Sequence, residues 1–307
     1  MANPAVVDNL KDKHHGRRKL VENLFVFVCI FATFIGFLSL VLLVVGVAKD
    51  GVSVLSWDFL TSFPSRKAEN AGVYSALFGT FWLMGLTALF SVPLGVGAAI
   101  YLEEFASKNW LTKLIQINIA NLAGVPSIVY GLLGLAIFVR ALSNFTDGTA
   151  FGFEGTARSV LSGALTMSLL ILPMIITSTQ EALRAVPNSY REGSLALGST
   201  KWETIRNHVL PPATPGIMTS IILGLSRAIG ESAPLMTIGA LTYVAFIPES
   251  PFDGFTVMPI QIFQWAARPQ EAFHHNAAGG ILVLMAVLII FNSAAIYLRQ
   301  LARKRVQ

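Results

Sequence analysis

The stretch Leu24-Phe-Val-Phe-Val-Cys-Ile-Phe-Ala-Thr-Phe-Ile-Gly-Phe-Leu-Ser-Leu-Val-Leu-Leu-Val-Val-Gly-Val47 carries no Asp, Glu, Lys or Arg. About 20 apolar residues cross the hydrocarbon core of a bilayer as a helix, so this run is long enough to span it. Residues 74–102, 114–139, 159–180 and 277–298 are four more runs free of charge. A sixth, residues 213–248, is interrupted only by Arg227 and Glu231. The pattern predicts an all-α, polytopic membrane protein with six transmembrane helices. Composition agrees: 54% of the 307 residues are hydrophobic and 13% charged, against about 25% charged in ordinary soluble domains.

A secretory signal has an apolar region of only about 7–15 residues, so the first run reads as a retained anchor over residues 23–48, behind a polar, loose tail at 1–22. Cys29 lies within this span and reads as a small lipid- or core-facing residue. Fifteen Lys and Arg fall in segments 1–23, 103–113, 181–212 and from 299 onward, and six fall in the alternate segments. The positive-inside rule therefore predicts both termini and the 181–212 loop in the cytoplasm. A formal charge of +5, spread over these bilayer-flanking faces, calls for anionic lipid and not for nucleic acid.

Pro93, Pro126, Pro173, Pro215 and Pro234 lie in or near spans, where neighbouring helices or a water-lined cavity must satisfy the freed backbone groups. Gly79, Gly85, Gly95, Gly97, Gly124, Gly131 and Gly134 allow close helix approach. Residues 142–158 read as a turn-rich external loop, and residues 257–265 as a short amphipathic helix at the outer surface. Glu271, His274 and His275 are close enough in sequence to suggest a metal, but in the outer loop they read as a surface helix with incidental histidines and not as a zinc site. Asn118 and Asn121, about one turn apart, either line a pathway or bond neighbouring helices.

The loop between the fourth and fifth runs is long. Pro187 precedes a helix-favouring stretch at 189–197, Gly198 stops it, and a second short helix at 201–209 is expected to end at Leu210-Pro211-Pro212. The pattern Glu192-Gly193-Ser194, three residues, Gly198, then Leu210-Pro211 resembles the "EAA" loop of membrane subunits of bacterial ABC importers. Gly193 and Ser194 replace the family's two alanines, and His208 stands where isoleucine is usual. Arg227-Ala-Ile-Gly-Glu-Ser-Ala-Pro234 resembles the signature of phosphate-importer permeases, and residues 258–273 support their A-type branch. The likeness covers residues 70–300, which it identifies as a permease core of type I architecture.

The resemblance implies that residues 181–212 dock on an ATP-hydrolysing partner through Glu192, Gly193, Ser194, Gly198, Leu210 and Pro211. It also implies a sister permease forming a heterodimer, two ATP-binding cassette subunits, a soluble phosphate-binding protein, inorganic phosphate as cargo and a bacterial plasma (inner) membrane location. ATP and Mg belong to the partner, with no cofactor or metal on this chain. The chain has no Gly-x-x-x-x-Gly-Lys-Ser/Thr loop of its own and so is not the ATPase.

Arg227 and Glu231 are the expected substrate-pathway pair. A charge at the bilayer centre costs roughly 2.5–3.5 kcal/mol on insertion scales. Arg keeps its charge there and offers a planar fork matched to oxyanions. Glu231, at i+4, is placed to hold the guanidinium between transport events, and Gly230 and Pro234 are expected to break the helix beside them. A permanent salt bridge that only orders packing is the other reading. Sulfate or molybdate is the alternative cargo. An ion-coupled secondary transporter would need structural repeats, which the sequence does not show. An intramembrane enzyme would need catalytic His or Asp at membrane depth, and none lies in any span.

Overall fold

Helix α1 (Pro4–Gly51) contains the first apolar run and extends back through the basic tail expected to be loose. Leu10, Lys11, Lys13, Arg17, Arg18, Lys19 and Leu20 are good helix formers, and Gly16 costs about 1 kcal/mol relative to alanine there. The computed structural model describes residues 4–140, 158–240 and 243–304. The loop expected at 142–158 lies outside the described residues except for Arg158.

Helix α2 (Trp57–Thr61) is capped by the Ser56 side chain, and a 3-10 turn at Ala68–Asn70 leads into α3 (Tyr74–Ile100), which ends in a wide π-turn at Tyr101–Phe105. The third run departs from expectation. It forms α4 (Trp110–Ala123) and α5 (Ser127–Gly134), the latter continued by a π-turn at Leu135–Val139, with a bend of 105° between the two halves. Helix α6 (Val160–Arg184) starts from a reciprocal Ser159–Ser162 capping box. Two short helices follow, α7 (Asn188–Ala196) and α8 (Lys201–Thr204).

The second of these does not stop at Leu210-Pro211-Pro212. A π-turn at Ile205–Val209, closed by the Leu210 N–H donating to the Ile205 carbonyl, carries it into α9 (Leu210–Gly230). Pro211 and Pro212 then occupy the first positions of α9, where a missing N–H is cheapest. Helix α10 (Ala233–Ile238) is short, α11 (Met258–Ala266) follows a long connection, and α12 (Glu271–Lys304) closes the chain. Five of the described helices are long and apolar enough to span a bilayer, and six spans result when the bent pair counts as one.

The two ends of the bundle match the two sets of polar segments read from the sequence. At the loop end, Arg184 pairs with Glu103 at 2.8 Å. At the far end, the Val160 N–H donates to Asp253 O, Asn276 Nδ2 donates to Ala68 O, and Gly51 abuts Ala278. The bent pair joins both ends: Ile119 packs beside Leu102 and Ile176, and Val139 joins the cluster holding Val160.

Helix α6 is the centre, with α3, α5 and α9 packed around it, α10 against α5, and α12 against α9 and α11. Its most apolar window is 67% buried, whereas that of α1 is wholly exposed, Cys29 included. Helix α1 packs against α12, with Gly51 abutting Ala278, and most of its residues from Arg18 to Leu43 are exposed. The helix at Met258–Ala266 forms as expected and is amphipathic: Met258, Ile260, Gln261 and Trp265 are buried against the bundle, while Phe263 and Ala266 are exposed. Residues 255–257 are buried too, and Thr80 Oγ1 accepts from the Met258 N–H. Of the glycines expected to pack, Gly79, Gly95, Gly131 and Gly134 do so, while Gly85 and Gly97 face open space.

Candidate functional site

Arg227 lies in the last turn of α9, one turn before the helix ends at Gly230. Its depth follows from its neighbours. Gly216 packs on Ala182 and Gly224 on Ile175, so α9 runs antiparallel to α6 and Arg227 falls level with the middle of α6. Ser226 hydrogen-bonds Asn292, within the apolar stretch of α12 and about one turn past its middle. Both placements put the guanidinium at mid-depth, with 51% of its side chain exposed at the surface of this chain.

Glu231 is not on the helical face expected from i,i+4 spacing. Its backbone is extended at φ −79° and ψ 128°, and the chain turns so that Glu231 Oε1 comes to 3.6 Å from Arg227 Nε. That is a loose ion contact, not a fork-to-fork bond. Gly230 ends α9 and Pro234 sits in the first turn of α10, so the helix break expected there is real. Pro126 marks the only other break near these prolines, while Pro93, Pro173 and Pro215 lie inside continuous helices. A glycine stands two residues before Pro126 and four before Pro234, and that second weak position separates the broken sites from the unbroken ones.

The two breaks face each other. A Cβ on Gly131 would fall 1.7 Å from Thr237 Oγ1 and 2.7 Å from the Pro234 backbone, so α5 and α10 approach as only a glycine permits. The Tyr130 hydroxyl donates to the Leu122 carbonyl at 2.7 Å, adding a side-chain bond to the one that the Val125 N–H makes to the same carbonyl across the break. The same hydroxyl lies within the electrostatic reach of Arg227. Sequence reading missed Tyr130; its signal is a lone hydroxyl-bearing aromatic four residues after Pro126. Asn118 is exposed and donates to the Leu114 carbonyl of its own helix.

At the loop end, α7 and α8 form a knob. Gly198 turns between them at φ 87°, a left-handed conformation that a Cβ disfavours. Ser194 is buried and hydrogen-bonded to Thr204 at 3.0 Å, so it clamps the two helices together and does not face outward. Leu210 and Pro211 are half-buried where the knob joins α9. The outward surface carries Glu192, Gly193 and Gly198 with Tyr190, Leu195, Trp202 and Leu197, the last 88% exposed. Arg191, which sequence reading left unassigned, donates to the Glu104 carboxylate at 2.6 Å and to the carbonyls of Leu183 and Val186.

Residues 91–307 match the model of the binding-protein-dependent transport system inner membrane component family. The chain belongs to that family. A probable ABC transporter permease of Bacillus subtilis, YqgH, is 40% identical over 66% of this chain and 63% of its own length. The phosphate transport system permease PstA of Mycobacterium leprae is 33% identical over 94% of this chain and 92% of that protein. Among solved structures, a bacterial alginate ABC transporter in complex with its alginate-bound periplasmic protein aligns with TM-score 0.64 at 16% identity, over 94% of this chain and 98% of the other, which is a likeness of fold.

The matched region of this ABC permease begins inside α3 and takes in both breaks and the knob, leaving out α1 and α2. His274, near the far end, bonds the Arg268 carbonyl. Among the described residues of the permease, no group of three or more His, Cys, Asp and Glu converges as metal ligands.

Proposed function

We propose that this permease is the A-type translocation subunit of an ATP-driven importer of inorganic phosphate, paired with a sister permease, two ATP-binding cassette subunits and a soluble phosphate-binding protein. Phosphate passes Arg227 on its way inward, and Glu231 takes over the guanidinium as the anion leaves. The observation that carries the reading is Arg227 at mid-depth, half-open at the chain surface, held by Glu231 at only 3.6 Å and flanked by two facing helix breaks. A guanidinium locked in a bidentate carboxylate pair would have fewer donors, and a neutralised charge, to offer an oxyanion. This one keeps most of its fork free of carboxylate. Similarity to permeases named for phosphate transport supports phosphate over sulfate or molybdate.

Both termini and the knob face the cytoplasm in this reading, by the distribution of Lys and Arg. The exposed apolar residues of the knob, with Glu192 and Gly193 among them, receive the ATPase. ATP and Mg stay on that partner. The bare length of α1 is left for the sister permease and lipid to cover.

Uptake of labelled phosphate into vesicles holding this chain with its neighbouring subunits, with ATP supplied on the cytoplasmic side, tests the proposal. Arg227→Gln should abolish uptake while membrane insertion and co-purification of the other subunits persist. Normal transport by that variant removes the pathway role, and uptake of labelled sulfate but not of labelled phosphate by the wild-type complex would move the reading to the other oxyanion.

A further inference from the structure

The cytoplasmic knob has to move the spans as well as hold a partner, and its attachment to them is specific. Arg191 projects from α7 and makes three kinds of contact at once. Its Nη2 and Nε reach the Glu104 carboxylate at 2.6, 3.2 and 3.3 Å. Its Nη2 also donates to Leu183 O at 2.9 Å and its Nη1 to Val186 O at 2.8 Å. Glu104 lies in the π-turn that ends α3; Leu183 is in the last turn of α6 and Val186 lies just beyond it, in the link to α7. One side chain therefore fastens the knob to two spans, which are themselves the most heavily packed pair in the molecule.

The pair is sheltered: Glu104 is 7% and Arg191 19% exposed. Neither belongs to the outward face of the knob, and neither approaches Arg227. A bidentate, largely desolvated pair holds geometry more firmly than a surface ion pair. The adjoining Arg184–Glu103 contact is open by comparison, with the arginine 55% exposed. Within the knob, Ser194–Thr204 ties α7 to α8, and α8 rests on the end of α3 through Trp202 and Lys201 against Phe105. The knob is thus stiff inside and joined to α3 and α6 at one polar node.

We propose that Arg191 and Glu104 form the strut through which displacement of the knob is transmitted to the α3–α6 pair, making them positioning residues for transport, separate from the surface that docks the ATPase. The inference rests on the importer reading above. Without the strut the partner still docks and hydrolyses ATP, but its motion reaches only α9, through the π-turn, and no longer the α3–α6 pair packed beside it.

The test uses the assembled complex in vesicles and three readouts: recovery of the ATPase subunit, ATP hydrolysis, and labelled inorganic phosphate imported per ATP hydrolysed. Glu104→Gln keeps the shape of the side chain and leaves Arg191 bonded to the Leu183 and Val186 carbonyls. It should retain the ATPase and hydrolysis but lower phosphate imported per ATP by about tenfold, the loss expected when a coupling of ordinary size is removed. Glu104→Asp, which keeps the charge, should recover part of that loss. An unchanged import ratio in Glu104→Gln overturns the proposal. So does loss of the ATPase subunit from that variant, because the pair would then be shaping the docking face. Failure of the importer reading would show separately, as a wild-type complex that holds no ATPase or imports no phosphate.

Discussion

Tyr130 and Gly131 meet the two breaks from adjacent positions on α5. The Tyr130 hydroxyl ties down the Leu122 carbonyl, and Gly131 lets α10 come into contact. Tyr130→Phe keeps the ring and loses only that bond, and because the Leu122 carbonyl still accepts from the Val125 N–H the cost is about 0.5–1.5 kcal/mol. Thermal unfolding of the purified complex should register that loss, and phosphate uptake should fall because the geometry beside Arg227 loosens. Gly131→Val is the harsher change. Its Cβ meets Thr237 and the Pro234 backbone, and overpacking of this kind costs about 1–3 kcal/mol or more. Adding Thr237→Ala should recover only part of the loss, since the backbone contact at Pro234 remains; full recovery would show that α5 and α10 are not held at this distance. Arg227 and Glu231 were visible in the sequence as the only charges in a long apolar run. Their true geometry was not, because i,i+4 spacing assumes a helix that ends at Gly230.

Among the elements, the knob is the one whose boundaries depend most on single residues. Gly198 sits at φ 87°, where a residue with a Cβ pays about 1–2 kcal/mol. Gly198→Val should therefore shift the angle between α7 and α8 while the spans stay folded. The expected result is reduced co-purification of the ATPase with little change in the thermal unfolding of the membrane core; unaltered recovery would remove the turn from the docking role. The turn was legible from Gly198 after a helix-favouring run. The junction with α9 was not. Leu210-Pro211-Pro212 reads locally as a stop, yet the π-turn ahead of it shifts the hydrogen-bond register so that both prolines fall in a first turn. The role of Ser194 was hidden for a similar reason: its partner, Thr204, lies across the turn on another helix.

For the whole molecule, the separation of polar segments into two ends is a statement about sidedness that labelling can check. In a Cys29→Ser background, Leu197→Cys on the knob should react with a membrane-impermeant maleimide only after the cells are opened. Glu249→Cys, exposed near the far end, should react in intact cells. The reverse pattern would invert the topology and place the knob where no cytoplasmic ATPase could reach it. The grouping of spans also explains why α1 is so exposed. The family match starts at residue 91, and the first helix packs against α12, with Gly51 abutting Ala278. Its apolar surface is compatible with lipid and partner alike, and burial against this chain is not what keeps it helical.

The sequence by itself determined the solvent, the count of spans once the bent pair is taken as one, the grouping of polar segments and the existence of the knob. These follow from hydropathy, charge and turn chemistry, which act over contiguous windows of chain. Tertiary structure alone decided that the third run breaks through 105°, that its break faces the one beside Arg227, which residues of the helix at Met258–Ala266 are buried, and that Arg191 meets Glu104 across 87 positions. Those outcomes need side chains from distant segments to find one another, and such meetings are settled by close packing and by the need to pair every polar group away from water.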